Sequence, residues 1–285
     1  MLGATTLREA IAAVVKDGMS IAMEGFTHLI PFAAGHEIIR QRRRNLTLIR
    51  MTPDLIYDQM IGMGCARKLE FSWGGNPGVG SLHRFRDAVE NGWPSPLEIS
   101  EHSHADMAAR YQAGASGLPF AVMRGYVGSD LPRFNSNIRT VTCPFTGEVL
   151  TATPALRPDV AILHALKADR RGNVFIEGIV GIQKEAALAA KTVIVTVEEI
   201  VDALAVPPNS FVLPSWVISH VCLVPQGAFP SYAHGYYQRN NAFFIAWDKV
   251  SRNRESFLTW MDRHVLATDN FEEFRESLMS DAAYA

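Results

Sequence analysis

Apolar positions along this chain switch repeatedly between helical spacing and short unbroken runs, the pattern of helices alternating with buried strands. Thr6-Leu7-Arg8-Glu9 has the form of a capping box, and Ile11, Val14 and Val15 continue one apolar face until Asp17-Gly18. Met19-Ser20-Ile21-Ala22-Met23 then reads as a strand ending at Glu24-Gly25-Phe26-Thr27. Next come a helix from near Pro31 to Arg42-Arg43-Arg44, whose cations suit a helix C-terminus, and a strand over Leu46 to Met51. A helix restarts at Thr52-Pro53-Asp54 with proline in its first position, and Leu69 to Trp73 is strand again.

Asp159 to Ala165, Thr192 to Val197 and Val221 to Val224 are β-branched and nearly uninterrupted, as in strands buried on both faces. The alternation predicts an α/β fold: an open, mostly parallel sheet with helices on both faces. One domain is expected over residues 1–285, with a small excursion near 121–147 and an aromatic C-terminal segment over 230–285. In that segment Ser231-Tyr232-Ala233-His234-Gly235-Tyr236-Tyr237-Gln238-Arg239-Asn240-Asn241 fits an interface or a cleft lid, or tyrosines folded back on their own core. Closing helices are expected around Phe257 to His264 and Phe271 to Leu278.

Composition narrows the function. Apolar residues make up 48% and charged residues 20% of the 285, ordinary for a folded globular chain. A balance of 27 basic against 29 acidic side chains leaves no basic footprint for nucleic acid or an anionic membrane. No apolar run reaches the roughly 20 residues of a membrane span, and Arg8 and Glu9 stand where a signal peptide would be apolar. Cys65, Cys143 and Cys222 lack the paired spacing of a metal or redox site. The expectation is a cytoplasmic protein with buried thiols, no metal, and a small molecule or another protein as its ligand.

Two stretches carry candidate chemistry. Glu101-His102-Ser103-His104 precedes a helix that Ser103 would cap and that Gly114, Gly117 and Pro119 would end. Glu101 and His102 would then sit at a helix N-terminus suited to anions, although a capped helix with solvated histidines explains the same residues. After the strand ending at Trp73, Gly74-Gly75-Asn76-Pro77-Gly78-Val79-Gly80-Ser81 is a glycine turn leading into a helix, with N–H groups near Gly80 and Ser81 expected to face a ligand. Its spacing matches neither dinucleotide nor P-loop patterns. Asp87 to Glu90 read as the last turn of a helix that Asn91-Gly92 stops. No GxSxG elbow is present, His164 inside an apolar strand reads as a core residue, and Asp169 to Asn173 reads as a hairpin turn.

Together these motifs resemble the A (alpha) subunit of the family I coenzyme A transferases. Asp17-Gly18, an apolar strand and Gly25-Phe26 follow its signature, with Glu24 in place of the first glycine and the later Gly-x-Pro displaced to Ile30-Pro31. Ala113-Gly114-Ala115-Ser116-Gly117-Leu118-Pro119 is similar to its Ala-Gly-Ala-x-Gly-hydrophobic-Pro exit, and Ala168-Asp169 with Gly172-Asn173 to its Ala-Asp-x-x-Gly-Asn turn. The resemblance implies ping-pong transfer of CoA between carboxylic acids through a glutamyl-CoA thioester. The glutamate belongs to a B subunit, in a Ser-Glu-Asn-Gly turn that Ala88-Val89-Glu90-Asn91-Gly92 does not match.

The resemblance further implies a partner B subunit in a heterodimer or heterotetramer, no permanently bound cofactor, and a coenzyme A thioester and a dicarboxylic acid as substrates. Gly25, Phe26, Thr27, His28, Gly74, Gly75, Asn76, Gly78, Gly80, Ser81 and Glu101 would line the cleft. Among these Glu101 is the candidate ionisable group, and His28, Ser81 and Arg124 are candidates for gripping a distal carboxylate. Other readings are a glutaconate-type CoA-transferase subunit, a CoA-ester ring-opening hydrolase that uses Glu101, and a non-catalytic binding module of the same fold.

Overall fold

The computed structural model describes residues 5–126, 128–208, 210–281 and 284. Residues 1–4, 127, 282, 283 and 285, parts of the stretches expected to form the chain start, the excursion and the C-terminal segment, lie outside the described residues, as does 209. The first half runs α1 (Leu7–Val14), β1 (Ser20–Glu24), α2 (Phe32–Arg40), β2 (Leu46–Ile49), α3 (Leu55–Gly62), β3 (Ala66–Phe71), α4 (His83–Asn91), β4 (Glu98–Glu101) and α5 (His104–Ala115). Then come β5 (Phe120–Met123), α6 (Leu131–Phe134), β6 (Arg139–Thr142), β7 (Val149–Pro154), β8 (Val160–Asp169), β9 (Val174–Glu177) and α7 (Gln183–Ala189). The chain closes with β10 (Thr192–Val201), β11 (Ser210–Leu213), β12 (His220–Leu223), α8 (Asn241–Arg252), α9 (Arg254–Met261) and α10 (Phe271–Met279).

The predicted open, mostly parallel sheet with helices on both faces is present. Parallel pairing runs in the order β12-β10-β8-β1-β2-β3-β4. β8 outlasts β1, and beyond Leu163 the antiparallel pair β9 and β11 takes the place beside it. Strand order reverses between β1 and β8: β2, β3 and β4 extend one way, β10 and β12 the other. Open parallel sheets form their ligand crevice beyond the strand ends at such a reversal. The turn after β1 is therefore placed by topology at the point best suited to a site.

Alternation along β1 shows the two faces. Ile21 and Met23 pack into the larger core with α2, α3 and α8 to α10, whereas Ala22 packs with Met107 and Tyr111 of α5 and Ala186 and Ala189 of α7. The stretch 120–154 forms a separate three-stranded antiparallel sheet, β5-β7-β6. No helix among the described residues is long and apolar enough to cross a membrane. Cys65 and Cys222 are buried and Cys143 is half-buried.

Local rules account for most boundaries. Thr6 and Glu9 form the capping box of α1, Ser103 caps α5, and Gly92 stops α4 in the left-handed region at φ 67°. Pro53 is not the first residue of α3; Asp54 caps that helix, its carboxylate reached by the Ile56 N–H. α4 begins at His83, just past the glycine turn, and Leu82 offers it no side-chain cap. Asp58 of α3 substitutes, accepting from the backbone N–H groups of Arg84 and Phe85 at 2.9 Å each. Burial of that carboxyl pushes its pKa up to about 6.

α5 crosses the chain beyond β7 so closely that a Cβ on Gly114 would lie 1.8 Å from the Leu156 carbonyl oxygen. We predict that Gly114→Ala lowers unfolding stability by ~2 kcal/mol through overpacking against backbone. Urea denaturation checks this, and a change below about 0.5 kcal/mol, the level of an ordinary surface substitution, contradicts the contact.

Candidate active site

The turn after β1 is tight. A Cβ on Gly25 would meet the Leu29 and His28 carbonyl oxygens at 2.6 and 2.9 Å, so only glycine fits there. Thr27 and Leu29 are left-handed, at φ 61° and 52°. For such side chains this conformation costs roughly 1–3 kcal/mol and persists only where its surroundings enforce it, commonly at functional sites. The enforcement comes from the aromatic segment: Leu29 N–H donates to the Tyr232 carbonyl at 3.0 Å, and Ser231 Oγ donates to the Thr27 carbonyl at 2.8 Å. Phe26 and Thr27 remain exposed on top of the turn.

Beneath the turn lies a buried charge cluster. Arg50, just past β2 and 1% exposed, reaches both carboxylate oxygens of Asp54 at 2.9 and 3.1 Å and donates to the Gly25 carbonyl at 2.9 Å. Glu24, also buried, receives the Tyr111 hydroxyl at 2.8 Å and the Met51 N–H at 3.0 Å on one oxygen. Burial pushes the Glu24 pKa up to about 7, with Arg50 and those two hydrogen bonds opposing the rise. A carboxyl that changes charge near neutrality thus supports the backbone of the turn.

The glycine loop after β3 stands beside it, two strand spacings or about 10 Å across the sheet. Asn76 anchors this loop: its N–H pairs with the Gly80 carbonyl, and its buried Nδ2 donates to the Phe244 carbonyl at 2.7 Å. Arg239 ties the aromatic segment to the loop, donating to the Pro77 carbonyl and lying 3.8 Å over the Phe244 ring. Gly25–Thr27 and Gly74–Gly80 are therefore both tied by hydrogen bonds to Ser231–Arg239, and the three segments border the crevice that the reversal of strand order places beyond β1.

The structure sorts the predicted residues. Gly25, Phe26, Thr27, Gly74, Gly75, Asn76, Gly78, Gly80 and Ser81 belong to the two facing turns. The N–H groups of Gly80 and of the start of α4 do not await a ligand, since Asn76 O and Asp58 already accept from them. His28 is fully buried under the turn, its Nε2–H donating to the Glu177 carbonyl at 3.1 Å, and burial lowers its pKa. It braces the turn from below. Arg124 belongs to the small sheet's surface, in a bidentate pair with Glu148 at 2.7 and 2.8 Å. Glu101 ends β4 and does not start a helix; its side chain is exposed, three strand spacings or about 14 Å from β1.

His102, unlike a solvated histidine, is buried. Its Nδ1–H donates to Asp106 at 2.7 Å, and its Nε2 faces Ser100 Oγ and Asn135 Nδ2 at 3.0 Å each. This Ser-His-Asp row is sealed: Ser100, His102 and Asp106 are at most 5% exposed, and Thr153 and Tyr126 complete the carboxylate. Although burial raises it, the hydrogen bonds from His102, Thr153 and Tyr126 hold the Asp106 pKa below its ordinary value. Through Tyr126, Asn135 and Thr153 the row fastens the small sheet to the main one.

His164 is likewise a bonded core residue, between Thr196 at 2.8 Å and Glu198 at 2.6 Å, and Tyr237 donates to the same Glu198 oxygen at 2.7 Å. Among the described residues no three of His, Cys, Asp and Glu converge in a group that could hold a metal. Sequence reasoning missed Arg50 and Asp54 as site residues and named Arg239 only as part of the aromatic segment. Asp54 carried a visible signal as a residue before a helix, and Arg50 carried none.

Comparison with known proteins bears on the family and the fold. A family model described as coenzyme A transferase matches residues 4–223. The A subunit of the 3-oxoadipate CoA-transferase of Pseudomonas knackmussii is 65% identical over 273 residues, 96% of this chain and 97% of that one. The crystal structure of glutaconate coenzyme A-transferase from Acidaminococcus fermentans superposes with a TM-score of 0.89 at 31% identity, covering 96% of this chain and 92% of that chain. A structure of the decarboxylase AibA/AibB superposes with a TM-score of 0.80 at 31% identity, covering 92% and 99% of the two chains.

The buried carboxyl under the turn has a measurable signature. Between its unfolded value of 4.5 and the folded value of about 7, Glu24 binds more protons in the native state, so its contribution to stability falls as pH rises through that window. The full effect is up to ~3 kcal/mol. Glu24→Gln keeps an acceptor for Tyr111 and Met51 but does not titrate. Chemical denaturation at pH 5 and pH 8 is expected to show wild type losing more stability than the variant; equal losses contradict a raised Glu24 pKa.

Proposed function

The chain belongs to the coenzyme A transferase family, as an A subunit, and from that premise we propose that it is the A half of a 3-oxoadipate CoA-transferase. It moves CoA from succinyl-CoA to 3-oxoadipate in aromatic-compound catabolism, in the cytoplasm, as a heterodimer or heterotetramer with a B subunit. The whole-length similarity to the Pseudomonas knackmussii protein carries this reading, because it runs through both turns and the aromatic segment.

The chemistry follows from the family mechanism. A B-subunit glutamate attacks the thioester carbonyl of succinyl-CoA and expels CoA thiolate, leaving an acyl-glutamyl anhydride. The thiolate then attacks the glutamyl carbonyl, succinate leaves, and the enzyme holds a glutamyl-CoA thioester. The same steps in reverse load 3-oxoadipate. A carboxylate is a weak nucleophile, and division into exchanges of similar energy is what covalent catalysis offers it. No bound cofactor is needed; the CoA thioester is itself the substrate.

This chain's share is the cleft wall. The Gly25–Thr27 turn brings backbone N–H groups to the reacting carbonyl, where each oxyanion donor is typically worth ~3 kcal/mol. The strain at Thr27 and the buried supports beneath it suit a preorganised turn of this kind. Exposed apolar side chains on the rim, Phe26, Trp73 and Val79 among them, are the surface we assign to the B subunit. Glu101, exposed at the end of the edge strand β4, is not the nucleophile in this reading.

Intact-mass analysis of the reconstituted complex after exposure to succinyl-CoA tests this division. The CoA adduct is expected on the B subunit, with none on this chain. An adduct on this chain, on Glu101 or elsewhere, overturns the proposal.

A further inference from the structure

Arg239 is the only lysine or arginine in the segments that wall the cleft: residues 24–29, 72–82 and 231–240 contain no other. Among the described residues it has no carboxylate partner within salt-bridge distance, whereas the nearby Arg50 is neutralised by a bidentate bond to Asp54. Its position is nonetheless well defined. The guanidinium lies 3.8 Å over the Phe244 ring, one nitrogen donates to the Pro77 carbonyl, and the buried Nε has no partner among the described residues. Electrostatic interaction reaches it from Asp54 and from Tyr232, whose hydroxyl lies 3.4 Å from Thr27 Oγ1.

A guanidinium that is partly removed from water, stacked on an aromatic ring and left without a counter-charge is a receptor for an anion. Asp54 is engaged by both nitrogens of Arg50, which leaves Arg239 with no carboxylate of its own among the described residues. The hydroxyls of Thr27 and Tyr232 add neutral donors on the side of the strained turn. We propose that Arg239, with Tyr232, receives the distal carboxylate of a dicarboxylic acyl group whose other end reacts at the Gly25–Thr27 turn. His28, Ser81 and Arg124 are then not that receptor: His28 is buried, Arg124 is engaged on another sheet, and Ser81 carries no charge.

The inference rests on the transferase reading and deepens it to a specificity determinant. The test uses the reconstituted complex, with 3-oxoadipate and its monocarboxylic counterpart 3-oxohexanoate as acceptors. Arg239→Met is expected to raise KM for the dicarboxylate about 10- to 100-fold, the range of a lost hydrogen bond to a charged group, with kcat/KM for the monocarboxylate changed less than about threefold. Arg239→Gln keeps a donor for the Pro77 carbonyl without the charge, and it is expected to show the same selective loss if Arg239→Met does not fold.

Parallel losses for both acceptors would mean that Arg239 only supports the loop, and unchanged discrimination would mean that it does not meet the substrate. Either result overturns the inference while leaving the transferase reading intact. A wild-type complex that does not accept 3-oxoadipate overturns the transferase reading itself, and the inference with it.

Discussion

A wholly buried arginine at the end of the second strand is the constraint on which the cleft depends. Arg50 has no route to solvent and must satisfy its charge inside the protein, which it does with both oxygens of Asp54 and the carbonyl of Gly25. Taking either partner away from such a pair typically costs about 3–5 kcal/mol, because the other charge is left buried and alone. The bond to Gly25 therefore joins the geometry of the turn to the solvation of a charge. Glu24, between this cluster and Tyr111, adds a group that carries charge only as pH approaches neutrality.

Topology and chemistry meet at that turn. Strand order reverses between β1 and β8, which opens a crevice above the end of β1, and Gly25 is the first residue past it. The aromatic segment then closes over the crevice, fastened to the turn by Leu29 and Ser231 and to the glycine loop by Arg239. Distant parts of the chain are held as one hydrogen-bonded surface around the turn.

Much of the fold was legible because it depends on local rules. The capping box at Thr6, the cap at Ser103, the left-handed stop at Gly92 and the β-branched runs of β8 and β10 each act through neighbours in sequence. The glycine turns were legible for the same reason, since a tight turn after a buried strand leaves its mark on composition. Failures came where a distant residue supplied what the local sequence lacked. Asp58 caps α4 from another helix, which no local pattern reveals, and Glu101 was placed at a helix N-terminus because the short edge strand β4 has little pattern of its own.

Of the site, the facing turns could be read and the electrostatics could not. Arg50 lay unremarked within the strand expected over Leu46 to Met51; only the packing of α3 and the turn makes it a buried support. Tyr237 folds back onto Glu198, whereas Tyr232 turns its hydroxyl toward Thr27 and Arg239 lies over the Phe244 ring, a difference that no linear pattern encodes.

The central claim, that the buried pair holds the turn and through it the cleft, is tested most directly by amide hydrogen exchange on the Arg50→Met/Asp54→Asn double variant in the reconstituted complex, which removes both charges and leaves neither unpaired. The account predicts faster exchange across residues 24–29 and 231–239 while β8 and β10 stay protected. Unchanged exchange in both segments would contradict it.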